Sequence, residues 1–272
     1  MTQLTLVPTP IGNLDDITLR ALSCLREVEA IAAEDTRHSS KLLTHFGIHK
    51  PLERLDAHTM HARAPRVLER YESLAYISDA GSPGISDPGV ELVNIALARG
   101  DDVLVLPGAT AFVPALVLSG LPLGRFLFEG FLPRKGKPRR ERLDIICQSP
   151  VTTALYEAPT RLLATLQDLA NICGPERAAS VSREISKRFE TTYRGNLASL
   201  VNTFQAETPK GECVIVLAPA EASDAPTDLD IREQASVLAD QGLTARDIRK
   251  ALVALGVPRN DAYALALEVT AE

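Results

Sequence analysis

Three short apolar runs, each ending in a turn crowded with glycine and proline, constrain this chain most. Leu4–Val7 runs into Pro8-Thr-Pro-Ile-Gly-Asn13, Leu74–Ser78 into the turn-rich stretch Asp79–Gly89, and Val103–Leu106 into Pro107-Gly-Ala-Thr110. Apolar runs of that length bounded by such turns read as buried strands. Helical patterns alternate with them. Ile17, Ala21, Leu25 and Val28 share one helical face, with Asp15 and Asp16 ahead of it to suit the helix dipole. Ile31–Ala33 reads as a further strand, Thr36–Phe46 as a helix stopped by Gly47, Val90–Ala98 as a helix closed by Gly100, and Thr110–Ser119 as another. Strand and helix in alternation argue an α/β fold with a mostly parallel sheet.

The alternation resumes after Leu121. Strands are expected at Phe126–Phe128, Thr153–Tyr156, Ala179–Ser182 and Val214–Leu217, and helices at Lys137–Cys147, Thr160–Ile172 and Leu197–Phe204. A polar, alanine-rich linker follows at Glu221–Pro226. Three short helical patterns then close the chain, at Ile231–Asp240, Ala245–Leu255 and Asn260–Glu268, separated by Gly242 and Gly256–Pro258. This gives three expected domains: an α/β domain over 1–120, a second over 121–222 and a small helical domain over 227–272. The last is compatible with a helix-turn-helix module and equally with a helical cap or dimer element.

The stretch Val103–Gly124 contains no charged residue and is long enough to cross a bilayer. Pro107, Gly108, Pro114, Gly120, Pro122 and Gly124 interrupt it, so a strand, a turn and a buried helix are the better reading. The opening MTQLTLVPTPIGN lacks a basic segment leading into a long apolar one, and is not read as a signal peptide. Cys24, Cys147, Cys173 and Cys213 are widely spaced and are expected to be free thiols in a reducing, cytoplasmic compartment.

Ligands of open α/β sheets bind beyond the carboxyl ends of the strands. Three small-residue turns on that edge would let backbone amides and carbonyls approach a polar, nucleoside-like ligand closely. Any one of them alone is an ordinary strand-to-helix turn. No GxGxxG follows a strand, and Gly130-Phe-Leu-Pro-Arg-Lys-Gly136-Lys137 has the wrong spacing for a P-loop and continues with Pro138. No GxSxG elbow is present. His58-x-x-His61 has no Cys or acidic partner nearby, in a segment that reads as a loop, so no metal is expected.

With 29 Lys and Arg against 35 Asp and Glu, the net charge is −6. That argues against a protein that coats nucleic acid indiscriminately, but one local basic face remains open. The residues for it are Arg134, Lys135, Lys137, Arg139, Arg140 and Arg142: six cations in nine positions, with Glu141 the one acid. Such a cluster suits phosphate or RNA contact, or is a solvated charged run. Ala33-Glu-Asp-Thr-Arg-His38 places two acids, an arginine and a histidine at a strand exit. Acid, base and phosphate-clamp roles are open there, as is N-capping by Asp35 or Thr36 with a structural ion pair. Arg183-Glu-Ile-Ser-Lys-Arg188 is a similar polar exit, compatible with an ion-pair network.

Taken together, these strings resemble the tetrapyrrole methylase superfamily, and within it the branch that methylates small-subunit ribosomal RNA. The resemblance rests on Thr9–Thr18, Ile31–His38, Ser78–Gly89, Leu106-Pro-Gly108, Glu129–Pro133, Tyr156-Glu157, Arg183-Glu184, Lys210-Gly-Glu212 and, in the tail, Arg259–Tyr263. It implies two α/β domains of tetrapyrrole-methylase type with S-adenosylmethionine between them, plus a small helical C-terminal domain. By position, Pro10, Asp79, Ala80, Gly81, Pro107, Gly108, Ala109, Thr110 and Ala111 would line the donor site from the first domain. Tyr156, Glu157 and Gly211 would close it from the second. The implied reaction is 2′-O-methylation of a cytidine ribose in the decoding region of small-subunit rRNA, by a homodimer. Glu34 or Asp35 would serve as base, with Arg37 on a phosphate and the Arg134–Arg142 cluster on RNA. The chain departs from the family where a His-x-His-Asn-Glu string is usual: here it reads Asp56-Ala-His-Thr-Met60, keeping only His58. It departs again at Pro8, where a small residue is usual. The competing readings are a small-molecule (tetrapyrrole) C-methylase of the same fold and a non-catalytic RNA-binding module.

Overall fold

The computed structural model describes residues 1–206, 210–220, 228–255 and 257–271. The linker expected over Glu221–Pro226 and the break at Gly256 lie outside them. The chain forms two compact units, 1–220 and 221–272.

The first unit holds two five-stranded sheets. In the first, β1 (Gln3–Val7), β2 (Ala30–Ala33), β3 (Leu52–Arg54), β4 (Ser73–Ile77) and β5 (Asp102–Val105) run parallel in the order β3-β2-β4-β1-β5. Strands buried on both faces need not alternate polar with apolar. β2 is Ala-Ile-Ala-Ala with all four residues buried, and β1 and β4 bury four of their five. Around them pack α1 (Leu19–Glu27), α2 (Thr36–His45), α3 (Met60–Arg70) and α4 (Gly89–Arg99). Thr18 caps α1 by accepting from the Ala21 amide, and Asp35 caps α2 by accepting from the Arg37 amide. Gly100 ends α4 with φ 79°, a left-handed cap that glycine adopts without strain.

The pattern did not reveal β3 and α3. β3 is a three-residue edge strand, too short to show a period. α3 carries Pro65 in its interior, and its first turn lies where His58 and His61 suggested a loop. His61 there meets Glu91.

The second sheet comprises β6 (Phe126–Phe131), β7 (Thr152–Glu157), β8 (Ala178–Arg183), β9 (Thr191–Asn196) and β10 (Cys213–Leu217), in the order β6-β7-β10-β8-β9. Only β6 and β7 are parallel; β10 runs antiparallel to both β7 and β8, and β8–β9 is an antiparallel pair. The expectation of a mostly parallel sheet thus fails for this half. The cause is β9, a half-buried edge strand of Thr, Tyr, Arg, Gly and Asn with little apolar pattern, which returns directly along β8 with no helix between.

One face of this sheet packs on α6 (Lys137–Gln148), α7 (Pro159–Cys173) and α8 (Leu197–Ala206). Leu143, Ile146, Leu162, Leu166, Leu200 and Phe204 meet Leu155, Val181 and Ile215 there, all buried. Each such large side chain contributes roughly 1.5–3 kcal/mol on burial. The other face takes α5 (Phe112–Ser119), whose Ala115 and Leu116 pack on Ala154, Val214 and Val216. The uncharged stretch 103–124 is therefore strand β5, a loop and a half-buried eight-residue helix. No helix among the described residues is long and apolar enough to cross a membrane.

Cys147 and Cys173 form a disulfide with Cα atoms 5.0 Å apart, where free thiols were expected. α6 and α7 pack side by side and bring their C-terminal ends to the same level, which residues 26 positions apart could not disclose. Cys24 and Cys213 remain free.

The second unit contains α9 (Asp228–Asp240), α10 (Ala245–Ala254) and α11 (Arg259–Ala271), closed around Ala235, Ile248, Leu252, Ala262 and Ala266.

Candidate active site

The carboxyl ends of β1, β2, β4 and β5 bring their loops to one edge. Thr9 and Gly81 exchange backbone hydrogen bonds of 2.9 and 3.0 Å, joining the loop after β1 to that after β4. The Ser82 hydroxyl donates to the Ala109 carbonyl at 3.0 Å, joining the loop after β4 to that after β5. The three glycine–proline turns are thus one bonded platform. Asp87 braces it by accepting from the Gly84 and Gly89 amides at 2.9 and 2.7 Å.

A cleft of about 390 Å³ lies between this platform and the second sheet. Its first wall is Ile11, Glu34, Ser78–Ser82, Ile85–Asp87, Thr110 and Ala111, and its second is Phe131, Tyr156–Pro159, Ile185 and Glu212–Val214. Of the expected donor-site residues, Asp79, Ala80, Gly81, Thr110, Ala111, Tyr156 and Glu157 line it. Pro10, Pro107, Gly108, Ala109 and Gly211 are not among the lining residues. A side chain on Gly211 would overlap the Glu184 carboxylate, and one on Gly108 the Pro8 ring. Pro8 and Gly108 are therefore complementary. Gly108→Ala is expected to cost about 1–3 kcal/mol by overpacking, and Pro8→Gly to relieve that cost in a denaturation double-mutant cycle. Strictly additive costs would refute the contact.

Ser78 and Ser82–Asp87 lie within a string already singled out, yet no spacing marked their side chains. Phe131, Ile185, Cys213 and Val214 carried no individual signal, because only the pairing of the second sheet brings them to the cleft. Ser86 with φ 69°, and Glu184 and Ser186 with φ 53° and 68°, are non-glycine residues in left-handed conformations, and all flank the cleft. Such conformations concentrate where a site is held in a fixed shape.

The charged groups that line the cleft are all acids: Glu34, Asp79, Asp87, Glu157 and Glu212. Glu157 is buried and fully engaged, by Arg161 at 3.2 Å, the Thr165 hydroxyl at 2.6 Å and the Ala158 amide at 2.9 Å. Glu212 pairs with Lys187, which also holds Glu184, each at 2.9 Å. Glu34 has no such partner among the described residues. Partial burial, and then the charges of Asp79, Asp87, Asp56 and Asp35, raise its carboxyl above the usual range. Beneath it, the wholly buried Tyr76 hydroxyl has no hydrogen-bond partner among the described residues, and burial beside these carboxylates keeps it protonated. Burial likewise pushes the Cys213 thiol up to about 11, so it is no thiolate at neutral pH.

Asp35 and Arg37 do not line the cleft. Asp35 caps α2 and binds the Arg37 guanidinium at 3.0 Å, which holds its carboxyl down at about 2. Among the basic residues after β6, Arg139 is turned inward onto Asp168, Thr165 and the Pro133 carbonyl. Arg142 is taken by Glu129, and Lys137 lies 3.6 Å from Glu141. Arg134, Lys135 and Arg140 are exposed and make no ion pair among the described residues. No group of three or more potential ligands among the described residues is placed to hold a metal.

Comparison with known proteins agrees with this architecture. The tetrapyrrole (corrin/porphyrin) methylase profile matches residues 3–201. Ribosomal RNA small subunit methyltransferase I of Synechocystis sp. is 44% identical, with 99% of each chain aligned. The protein of that name from Pseudomonas aeruginosa is 43% identical over 98% of this chain and 92% of its own, and that from Escherichia coli O157:H7 40% identical over 98% and 95%. Among solved structures, diphthine synthase superposes with a TM-score of 0.61 at 18% identity, covering 80% of this chain and 90% of its own. The uroporphyrin-III C-methyltransferase of Thermus thermophilus complexed with S-adenosyl homocysteine superposes with 0.58 at 20% identity, covering 79% and 96%. The solved structures share the fold; the relatives at 40–44% identity align over nearly the whole chain. The chain belongs to the tetrapyrrole methylases and, within them, to the ribosomal RNA small subunit methyltransferase I family.

Proposed function

We propose that the protein transfers the methyl group of S-adenosylmethionine to the 2′-oxygen of a cytidine ribose in the decoding region of small-subunit ribosomal RNA, acting in the cytoplasm as a homodimer and without a metal. The observation that carries the reading is the cleft itself: walled by acids, with no cation in its lining, and shared between two sheets. Its volume falls in the range of about 300–1,000 Å³ usual for small-molecule sites. An acidic wall with the Tyr156 and Phe131 rings, 5.4 Å apart, favours a cationic ligand over a phosphate. A sulfonium donor meets that condition, and its methyl carbon is intrinsically electrophilic. Of the positions the resemblance assigns, Pro10, Pro107, Gly108, Ala109 and Gly211 would shape the donor site without lining it. The working division of the chain remains 1–120, 121–222 and 227–272.

The protein's own task is alignment and one proton. The bonded loop platform offers a braced surface that would hold a bound donor so that its methyl carbon faces the attacking oxygen. Glu34, on the cleft wall with a raised carboxyl, is the base for the ribose hydroxyl. Asp35, ionised and tied to Arg37, orients that arginine toward a neighbouring phosphate. Arg134, Lys135 and Arg140 offer the unpaired charge for RNA, beginning three residues after Phe131. The exposed edge strand β5 supports the dimer: Leu104, Val105, Val113 and Val117 are 40–67% exposed along β5 and α5.

Small ribosomal subunits from a strain lacking the gene, incubated with the protein and methyl-labelled S-adenosylmethionine, are expected to take label at one ribose. Nuclease resistance of the 2′-O-methyl linkage maps it. Raising salt should weaken RNA binding far more than donor binding. No label in subunits or in naked RNA, with donor binding intact, would sink the reading.

A further inference from the structure

We propose that the helical unit carries a second RNA-contact surface, made of Arg246, Arg249 and Lys250 on α10 with Arg259 and Tyr263 on α11. The proposal rests on the RNA reading above and adds where else the substrate is held.

The face follows from packing. α10 buries Ile248 and Leu252 against Ala235, Ala262 and Ala266. Arg246, Arg249 and Lys250, at i, i+3 and i+4, therefore share an outward arc. α11 buries Ala262 and Ala266, which leaves Arg259 and Tyr263, one turn apart, on a common side. The Arg249 guanidinium lies 6.0 Å from the Tyr263 ring centroid, so the two helices' arcs join into one face. Tyr263 is 51% exposed, and Arg246, Lys250 and Arg259 are exposed too.

Charge distribution points the same way. Residues 228–271 contain five cations and seven acids, yet four of the cations stand on this face. None of those four makes an ion pair among the described residues, whereas the fifth, Arg232, is bound to Glu268. The acid on the same stretch of α10, Asp247, is taken by Thr244 at 2.6 Å. Like charges one turn apart weaken a helix, and a polyanion relieves the repulsion. An exposed tyrosine beside arginine adds a platform on which an unpaired base stacks. A single RNA strand satisfies both features.

The test uses the full chain, with purified small ribosomal subunits and naked small-subunit RNA as probes. Arg246→Gln/Lys250→Gln and Tyr263→Ala are compared with wild type at 50–200 mM salt. With about 0.7 lost from the salt slope per single-strand phosphate contact, the double variant should lose about 1.4. Its affinity near 0.15 M salt should fall about tenfold. Tyr263→Ala should weaken binding with the slope unchanged. S-adenosylhomocysteine affinity and Tm should match wild type throughout. Wild-type protein that binds neither probe overturns the RNA reading itself, and this surface with it. Wild-type binding with both variants within twofold of it overturns this surface alone. A loss seen on subunits but not on naked RNA overturns it in favour of a ribosomal-protein contact.

Discussion

Glu34→Gln is expected to slow single-turnover methyl transfer, at saturating donor and subunits, by roughly 10²–10⁴-fold, the usual worth of a positioned general base. Glutamine keeps the size and hydrogen-bonding reach of the side chain but cannot take the ribose proton. With Glu34 as the proposed base, the wild-type rate should rise with pH through its raised value and then level off, because a base must be ionised to take the proton. The variant should lack that rise. Stability moves the opposite way. Glu34 titrates higher in the folded protein than in the unfolded chain, so the folded state holds the extra proton. The stabilisation is complete below the unfolded value and lost as pH rises through the folded value. The variant should therefore melt above wild type at neutral pH and level with it in acid. Full turnover with an unchanged pH profile would remove Glu34 from the role, and an unchanged melting difference across that range would remove the raised carboxyl.

Gly81→Val is expected to weaken S-adenosylhomocysteine binding by at least tenfold. Gly81 has φ +82°, and a side chain there would start 3.3 Å from Ile11 and 3.4 Å from the Ala109 carbonyl oxygen. A non-glycine residue in that conformation costs on the order of 1–3 kcal/mol, more for a β-branched one. Relief requires opening the Thr9–Gly81 bridge, which would displace Ile11 and the Asp79–Gly81 wall together. Since 1.4 kcal/mol is a factor of ten in affinity, even the lower half of that range should be visible by calorimetry. Gly81→Ala should show the smaller effect of the same sign. An unchanged affinity for the valine variant would mean that the platform does not form the donor site.

The fully buried strands, most of the helices that cover them and the three loops at the carboxyl edge were legible in the sequence, while β3, β9 and α3 were not. The reason is local: Leu4–Val7, Ile31–Ala33 and Leu74–Ile77 are apolar but for Thr5, and glycine or proline must stand where the backbone turns. The sequence also brought out the strings holding Glu34 and Asp79, which sit a residue or two past strand ends, whereas Tyr156 and Glu157 were marked only by the family resemblance. Tertiary structure alone decided the rest. The pairing of β10 between β7 and β8 carries Cys213 and Val214 to the cleft, and strand order is a non-local property with no trace in either segment. α5 follows the first sheet in sequence yet packs on the second, since an apolar helix serves any face that will cover it. The cations at 134–142 look alike as letters, but Arg139 folds inward onto Asp168, 29 residues away, and Arg134 does not. Likewise Glu34 and Asp35 are neighbours of the same charge. One faces the cleft among other carboxylates and is pushed up, while the other caps a helix beside Arg37 and is held down. Their different chemistry comes from which charges surround each side chain, and only the folded chain sets those distances.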